Sequence, residues 1–219
     1  MDETNRNLWG KWILANSLGE LLGLGATFAI GIGLFSGLAE TPGPAAALVT
    51  VGLMAATGVL EGAIVGLAQW WVLRDAIPRL TRRAWVWATI LGALIAWFLA
   101  SLSMSFADFS QPTDPSAVSE SPQSLVLLVA AGMGLGAGLV LSLVQWRVLR
   151  KQVDRAWLWL PANALAWAAG MPLIFAAVDL AQKATSTLGS IAVMAAGIAL
   201  AGAIVGAIHG RALLYLARS

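Results

Sequence analysis

The sequence contains no cysteine and only one histidine, His209, among its 219 residues. The absence of cysteine excludes disulfides, thiolate metal sites and cysteine nucleophiles, and one histidine excludes a site that needs two imidazoles from one chain. Charge is also scarce, because only 11% of the residues are charged, against about 25% in soluble domains. A soluble fold could not cover its surface with so few charges. This composition excludes an ordinary cytosolic enzyme, a disordered chain and a nucleic-acid-binding protein.

Apolar residues dominate instead, at 59% of the chain, with a mean hydropathy of +0.80. Six apolar stretches are long enough to cross about 30 Å of hydrocarbon. Because backbone polar groups in lipid must be satisfied internally, each stretch is predicted to be a helix. The predicted fold class is all-α, a polytopic bundle of six transmembrane helices in a single domain over residues 1–219. The stretches lie at residues 12–38, 45–73, 84–106, 125–149, 157–180 and 188–214.

The basic residues fall on one side of this predicted bundle. Twelve of the 13 Lys and Arg lie in the tails or in the second-to-third and fourth-to-fifth loops, and only Lys183 lies opposite. The positive-inside rule therefore predicts that both termini are cytoplasmic. The acidic, proline-containing residues 107–124 are predicted to form a flexible outer loop.

Tryptophan shows the same asymmetry, because nine of the eleven lie near the cytoplasmic helix ends. We interpret these nine as an aromatic belt at the headgroup level. Trp97 and Trp167 sit deeper, where they are predicted to face lipid or to pack between helices. The belt would consist of Trp9, Trp12, Trp70, Trp71, Trp85, Trp87, Trp146, Trp157 and Trp159.

A row of small residues with one polar group recurs along the chain and predicts three tandem helical hairpins, at about residues 9–74, 82–150 and 156–218. The spacing of 4, 3 and 4 residues places each row on one helix face. The even-numbered helices carry Gly62, Gly66, Gln69 and Leu73, then Gly138, Ser142, Gln145 and Leu149, then Gly202, Gly206, His209 and Leu213. The odd-numbered helices carry Trp12, Asn16, Gly19 and Gly23, then Trp85, Thr89, Gly92 and Ala96, then Trp159, Asn163, Ala166 and Gly170.

These rows are predicted to form close interhelical contacts. Small residues let membrane helices approach each other, and amide, hydroxyl or imidazole groups form hydrogen bonds across the contact. A polar pathway lined by the same residues is the alternative. The predicted polar layer consists of Asn16, Gln69, Thr89, Gln145 and Asn163, together with His209.

The pattern Gly-x-x-x-Gly-x-x-Gln-Trp-x-x-Leu-Arg occurs at residues 62–74 and, with Ser142 at the second glycine, at residues 138–150. It resembles multi-pass bacterial membrane proteins, familiar from cyanobacteria and their relatives, that mostly lack an assigned activity. The resemblance implies a bacterial inner or thylakoid-like membrane. In the third copy His209, Gly210 and Leu214 replace the Gln, Trp and Arg.

Two acids lie inside predicted spans, Glu20 on the first helix and Glu61 on the second, and neither has a counterpart in the other hairpins. An acid inside a membrane is a functional candidate, so both are predicted to bind a proton or cation or to contact a partner subunit. The alternative is a neutral carboxyl group hydrogen-bonded to Asn16, Gln69 or a backbone carbonyl.

His209 has three interpretations. It is a polar residue of the helix contact, a protonatable member of a relay with Glu20 or Glu61, or a single axial ligand to haem or chlorophyll. The cofactor therefore stays undetermined at this stage. Arg74 and Arg150 are predicted to contact lipid headgroups or another anion.

No metal-ligand cluster, phosphate loop, nucleophile elbow or dinucleotide motif occurs in the sequence. The predicted function is therefore non-enzymatic: an accessory or scaffolding subunit that packs in the bilayer against partner membrane proteins or against itself. The alternative is a small proton- or cation-coupled transporter or channel that uses Glu61, Glu20 and His209.

Overall fold

The computed structural model describes residues 3–38, 44–109 and 122–218, and these form six long α-helices. Each helix contains a segment long and apolar enough to cross a membrane, which confirms the predicted all-α class and the six helices. The helices are α1 (Glu3–Leu38), α2 (Pro44–Ala76), α3 (Arg82–Phe109), α4 (Gln123–Leu149), α5 (Trp159–Gln182) and α6 (Thr187–Leu216), with a 3-10 turn at Ala156–Leu158 before α5.

The first helix begins earlier than its apolar stretch, at Glu3 rather than Trp12. An acidic side chain in the first turn favours a helix N-terminus. The added turns also pack against α6, because the Trp9 indole N–H donates to the Ala207 carbonyl at 3.0 Å. Tertiary contact therefore extends α1 into a polar segment that the sequence analysis assigned to the N-terminal tail.

The predicted outer loop at residues 107–124 is helical at both edges. Helix α3 continues to Phe109 and α4 begins at Gln123, so apolarity alone underestimates both helices. Residues 110–121, the rest of that predicted loop, lie outside the described residues.

The six helices close into a ring in chain order. Each helix packs against the helix before it and the helix after it, and α1 packs against α6. The starts of the odd-numbered helices and the ends of the even-numbered helices meet in one apolar cluster. We call this the arginine end, after Arg74, Arg82 and Arg150. Large apolar side chains remain exposed around the outside of the ring on every helix, a surface suited to hydrocarbon rather than water.

Glycine allows three of the helix contacts to reach backbone distance. A Cβ atom built at Gly62, Gly138 or Gly202 would lie 2.5–2.7 Å from a backbone atom of the next helix in the ring. Only a residue without a side chain fits such an approach. Helix α2 therefore touches α3, α4 touches α5, and α6 touches α1, each through a glycine of the predicted small-residue rows.

A pair of alanine substitutions on α4 tests this close packing. A Cβ at Gly138 would lie 2.5 Å from the Asn163 carbonyl oxygen, whereas no atom lies within 4 Å of the Cβ position at Gly136. We expect Gly138→Ala to lower the free energy of unfolding by about 1–3 kcal/mol and the control Gly136→Ala to change it by less than about 0.5 kcal/mol. Denaturing-detergent titration followed by tryptophan fluorescence measures both, and equal losses would contradict backbone contact at Gly138.

Candidate functional site

Three tryptophans fill the centre of the ring at the arginine end. Trp12 and Trp85 are fully buried and Trp159 is 1% exposed. The ring centroids of Trp12 and Trp85 each lie 6.0 Å from that of Trp159, in edge-on geometry, which is favourable for aromatic pairs. We call these three residues the tryptophan plug. The buried leucines packed in the same cluster include Leu73, Leu149 and Leu213.

The predicted headgroup belt is therefore wrong for the three plug residues. Trp71, Trp87 and Trp157 are 57–61% exposed and keep the exposure that a belt requires. The plug tryptophans begin the inward-facing rows of the odd-numbered helices, so protein rather than headgroups surrounds them. Their membership of those rows was the sequence signal that distinguished them from the belt.

The predicted polar layer lies one helical turn deeper than the plug. The Gln69 side chain donates from Nε2 to Asn16 Oδ1 at 2.9 Å, and Gln145 donates from Nε2 to Thr89 Oγ1 at 3.0 Å. Each bond joins the two helices of one predicted hairpin. All six members of the layer are buried: Asn16, Gln69, Thr89, Gln145, Asn163 and His209.

Local hydrogen bonds tie the layer to the plug. Asn16, Thr89 and Asn163 each donate a side-chain hydrogen bond to the carbonyl of the plug tryptophan four residues earlier, at 2.7–3.0 Å. These side chains therefore satisfy their donors within their own helix. The remaining oxygens of Asn16 and Thr89 are left to accept from the facing glutamines.

Two further bonds connect helices of different predicted hairpins. The Trp159 indole donates from Nε1 to Gln145 Oε1 at 2.9 Å, and the Trp12 indole donates to His209 Nδ1 at 2.9 Å. The second bond joins the first helix to the last. The corresponding bond between α3 and α2 would join Trp85 Nε1 to Gln69 Oε1. It does not form, and both atoms are buried without a hydrogen-bond partner.

His209 is enclosed by the plug. Its imidazole stacks on Trp159, with ring centroids 5.2 Å apart and planes 22° apart, and its centroid lies 5.4 Å from that of Trp12. Its Nδ1 already accepts the indole N–H, so a neutral ring carries its proton on Nε2. With 1% exposure, this setting does not fit an axial haem or chlorophyll ligand through Nδ1. It agrees with the interpretation of His209 as a polar residue of the helix contact.

The two acids lie within the ring wall, next to the α1–α2 contact. Glu20 is 3% exposed and Glu61 is 9% exposed, and a Cβ atom at Gly23, one turn after Glu20, would lie 3.3 Å from Glu61. Glu61 Oε2 accepts from the Trp97 indole at 2.7 Å. Glu20 Oε2 is buried without a hydrogen-bond partner.

Asn16 and Gln69, two of the partners predicted for the acids from sequence, do not bond to them. Asn16 and Gln69 bond to each other, and Glu61 takes Trp97 as its donor. Trp97 was predicted to face lipid or to pack, and its role as a donor was missed. Its partner comes from a neighbouring helix, so no spacing within α3 could have revealed it.

Arg74 and Arg150 lie at the arginine end, each over tryptophans of its own helix. The Arg74 guanidinium lies 5.8 Å and 5.4 Å from the Trp70 and Trp71 ring centroids, and Arg150 lies 5.0 Å from that of Trp146. Such cation–π pairs suit the boundary between an apolar layer and water. A cleft of about 270 Å³ that the sequence did not indicate is lined by Leu67, Arg82, Arg83, Val86 and Trp87.

Among residues 3–38, 44–109 and 122–218, no group of three His, Cys, Asp or Glu is placed to hold a metal ion. Comparison with protein families, curated proteins and solved structures finds no match for this chain. The structural features that bear on function are therefore the plug, the polar layer, the acids and the outer surface.

Phenylalanine substitutions in the plug test the missing hydrogen bond. Trp159→Phe leaves Gln145 Oε1 buried without its donor, whereas Trp85→Phe removes an indole N–H that has no partner. Trp159 also stacks on His209 and contacts Trp12, so we expect Trp159→Phe to reduce stability by about 1–3 kcal/mol more than Trp85→Phe. Unfolding midpoints in detergent provide the comparison. A larger loss for Trp85→Phe would show that its indole is bonded.

Proposed function

We propose that this chain is a non-enzymatic integral membrane protein that acts as an accessory or scaffolding subunit, packing against partner membrane proteins or against copies of itself. It would consist of three tandem hairpins in a bacterial inner or thylakoid-like membrane, like the multi-pass bacterial proteins that its repeated motif resembles. Both termini would lie in the cytoplasm.

An open small-residue face on α4 carries this proposal. Gly134 and Gly138 face α5 and leave no room for a Cβ atom, whereas Gly132 and Gly136 have no atom within 4 Å of the Cβ position. Both open glycines are exposed. A Gly-x-x-x-Gly pair allows another helix to approach to backbone distance. Helix α4 therefore presents one such face to α5 and a second face to the outside of the ring.

The apolar clusters packed within the ring also favour a packing role. The plug and the polar layer occupy the centre toward the arginine end. Away from that end, the ring contains a second apolar cluster that includes Leu24, Trp167 and Ile198. The acids therefore lie between a hydrogen-bonded layer and an apolar one, where fixed packing is a better fit than the passage of a solute.

A small proton- or cation-coupled transporter or channel is the second candidate, and the burial of both acids favours it. Glu20 and Glu61 lie within the ring wall, as transported-ion sites do in membrane proteins. The third residue of this candidate, His209, is held between plug tryptophans, so transport would require the plug to open. Proton flux into vesicles that contain the purified protein, lost in Glu61→Gln, would support transport over the accessory role.

Purification from the native membrane in mild detergent tests the accessory role. We expect specific membrane proteins, or further copies of the chain, to co-purify with the wild type and to be lost with Gly136→Ile, because the added side chain blocks close approach to α4. Mass spectrometry of the purified sample identifies them.

Gly52→Ile is the matched control, because Gly52 on α2 is also exposed with no atom within 4 Å of its Cβ position. It should retain the same co-purifying proteins as the wild type. A wild-type chain that purifies alone, or a Gly136→Ile chain that keeps every partner, would contradict the proposal.

Cysteine labelling tests the proposed orientation, because a cysteine introduced into this cysteine-free chain is the only thiol. We expect Ser116→Cys to react with a membrane-impermeant maleimide in intact spheroplasts. Gln152→Cys, between α4 and α5, should react only after the membrane is opened. Labelling of Gln152→Cys in intact spheroplasts would place the arginine end outside and overturn the proposed topology.

A further inference from the structure

The two buried acids form a pair that the proposed accessory role does not use. Glu20 and Glu61 sit on neighbouring helices, and a Cβ at Gly23 would lie 3.3 Å from the Cα and Cγ of Glu61, so α1 and α2 are in close contact beside the pair. One carboxyl oxygen, Glu61 Oε2, takes the Trp97 indole N–H. Another, Glu20 Oε2, is buried and has no partner.

No basic side chain of the two helices that carry the acids is near them. At about 1.5 Å per residue, Lys11 lies about 14 Å along α1 from Glu20, and Arg74 lies about 20 Å along α2 from Glu61. Both basic residues are near the arginine end, so neither balances a charge at the depth of the pair.

The flanking helices do not supply a positive charge either. Helix α3 contacts the pair through Trp97. Arg83 lies about 21 Å from Trp97 along that helix, toward its N-terminus. Helix α6 packs on Glu20 through Gly202, and His209 lies about 10 Å along α6 from that glycine. Its Nδ1 accepts from Trp12. Two ionised carboxylates on these neighbouring helices would therefore be buried without a counter-charge, which disfavours ionisation of both.

We propose that Glu20 and Glu61 form a binding site for a single proton, held between their carboxyl groups at the α1–α2 contact. One proton leaves the pair with a single negative charge. The Trp97 indole stabilises that charge by donating to Glu61 Oε2. The unpartnered Glu20 Oε2 is the oxygen that takes the proton. This inference does not rest on the accessory role.

A proton fits this site better than a metal ion does. A hard cation such as Ca²⁺ takes about six to eight oxygen ligands. The pair offers four carboxyl oxygens, one of which already accepts from Trp97. The surroundings add indole and apolar groups, with Leu24 one turn from Glu20 in the apolar cluster.

The site also links protonation to helix packing. Loss of the proton would place two like charges beside the contact at Gly23, where α1 and α2 pack closely. The folded chain would hold one proton more than the unfolded chain, whose glutamates ionise above about pH 4.3. Stability should therefore fall as pH rises above that value, while the pair retains its proton.

A pH titration of unfolding tests this proposal. For the wild type in detergent, we expect the unfolding equilibrium constant to rise by up to about tenfold per pH unit, the slope for one proton. Infrared spectroscopy should show one protonated carboxyl group at neutral pH that shifts in deuterated buffer. Both signals should disappear in Glu20→Gln/Glu61→Gln, which keeps the size of the two side chains.

The control variant Glu3→Gln, at the exposed start of α1, should behave as the wild type does. Three results would overturn the proposal. The first is a pH slope that survives in the double variant. The second is an infrared signal from two protonated carboxyl groups or from none. The third is an unfolding midpoint that rises with sodium concentration at constant pH in the wild type only, which would identify a metal-cation site.

A reaction of the wild-type chain alone keeps the proposal testable if the double variant does not fold. An apolar carbodiimide dissolves in the membrane and reacts with protonated carboxyl groups. We expect one adduct per chain at neutral pH, located by mass spectrometry at Glu20 or Glu61, with a yield that falls at high pH. Adducts on both residues, or on neither, would overturn the single-proton site.

Discussion

The structure depends on one constraint: a hydrogen-bonding group placed among apolar side chains must find its partner inside the protein. The tryptophan plug and the polar layer meet that constraint together, except at Trp85 Nε1 and Gln69 Oε1. Asn16, Thr89 and Asn163 use their donors on carbonyls of their own helices, which leaves oxygens free for the facing glutamines. Because the indole of Trp12 finds its acceptor on α6 and that of Trp159 on α4, satisfying them requires α1 to meet α6 and α5 to meet α4. The same bonds that satisfy polar groups therefore hold the ring closed.

The acids show the same constraint left partly unmet. Glu61 receives one donor from Trp97, whereas Glu20 Oε2 receives none. The layer and the acids thus differ in their hydrogen bonding, although both consist of buried polar groups. Each member of the layer makes a hydrogen bond, so the layer resembles structural packing. The acid pair lies outside the predicted polar rows and carries ionisable groups, which is the pattern expected of a site with its own chemistry.

The features predicted from sequence are those that depend on the spacing of residues within one helix. The six helices follow from apolar length, and the polar layer follows from rows in which Gln69 and Gln145 recur at the same offsets. What sequence reasoning missed depends on neighbours across the ring. The burial of Trp12 and the bond from Trp97 to Glu61 are set by helix rotation and by side chains far away in the sequence. The early start of α1 was missed because contact with α6, rather than apolarity, extends that helix.

The packing of α1 against α6 bears on the order in which the helices are connected. In a ring that follows chain order, the first and last helices are neighbours just as any consecutive pair is, so the architecture has no privileged starting helix. A circular permutant that joined the two ends at the arginine end and opened between α4 and α5 would keep every helix beside its present neighbours. His209 would still accept from Trp12 in such a permutant, since that hydrogen bond lies at the contact between α1 and α6.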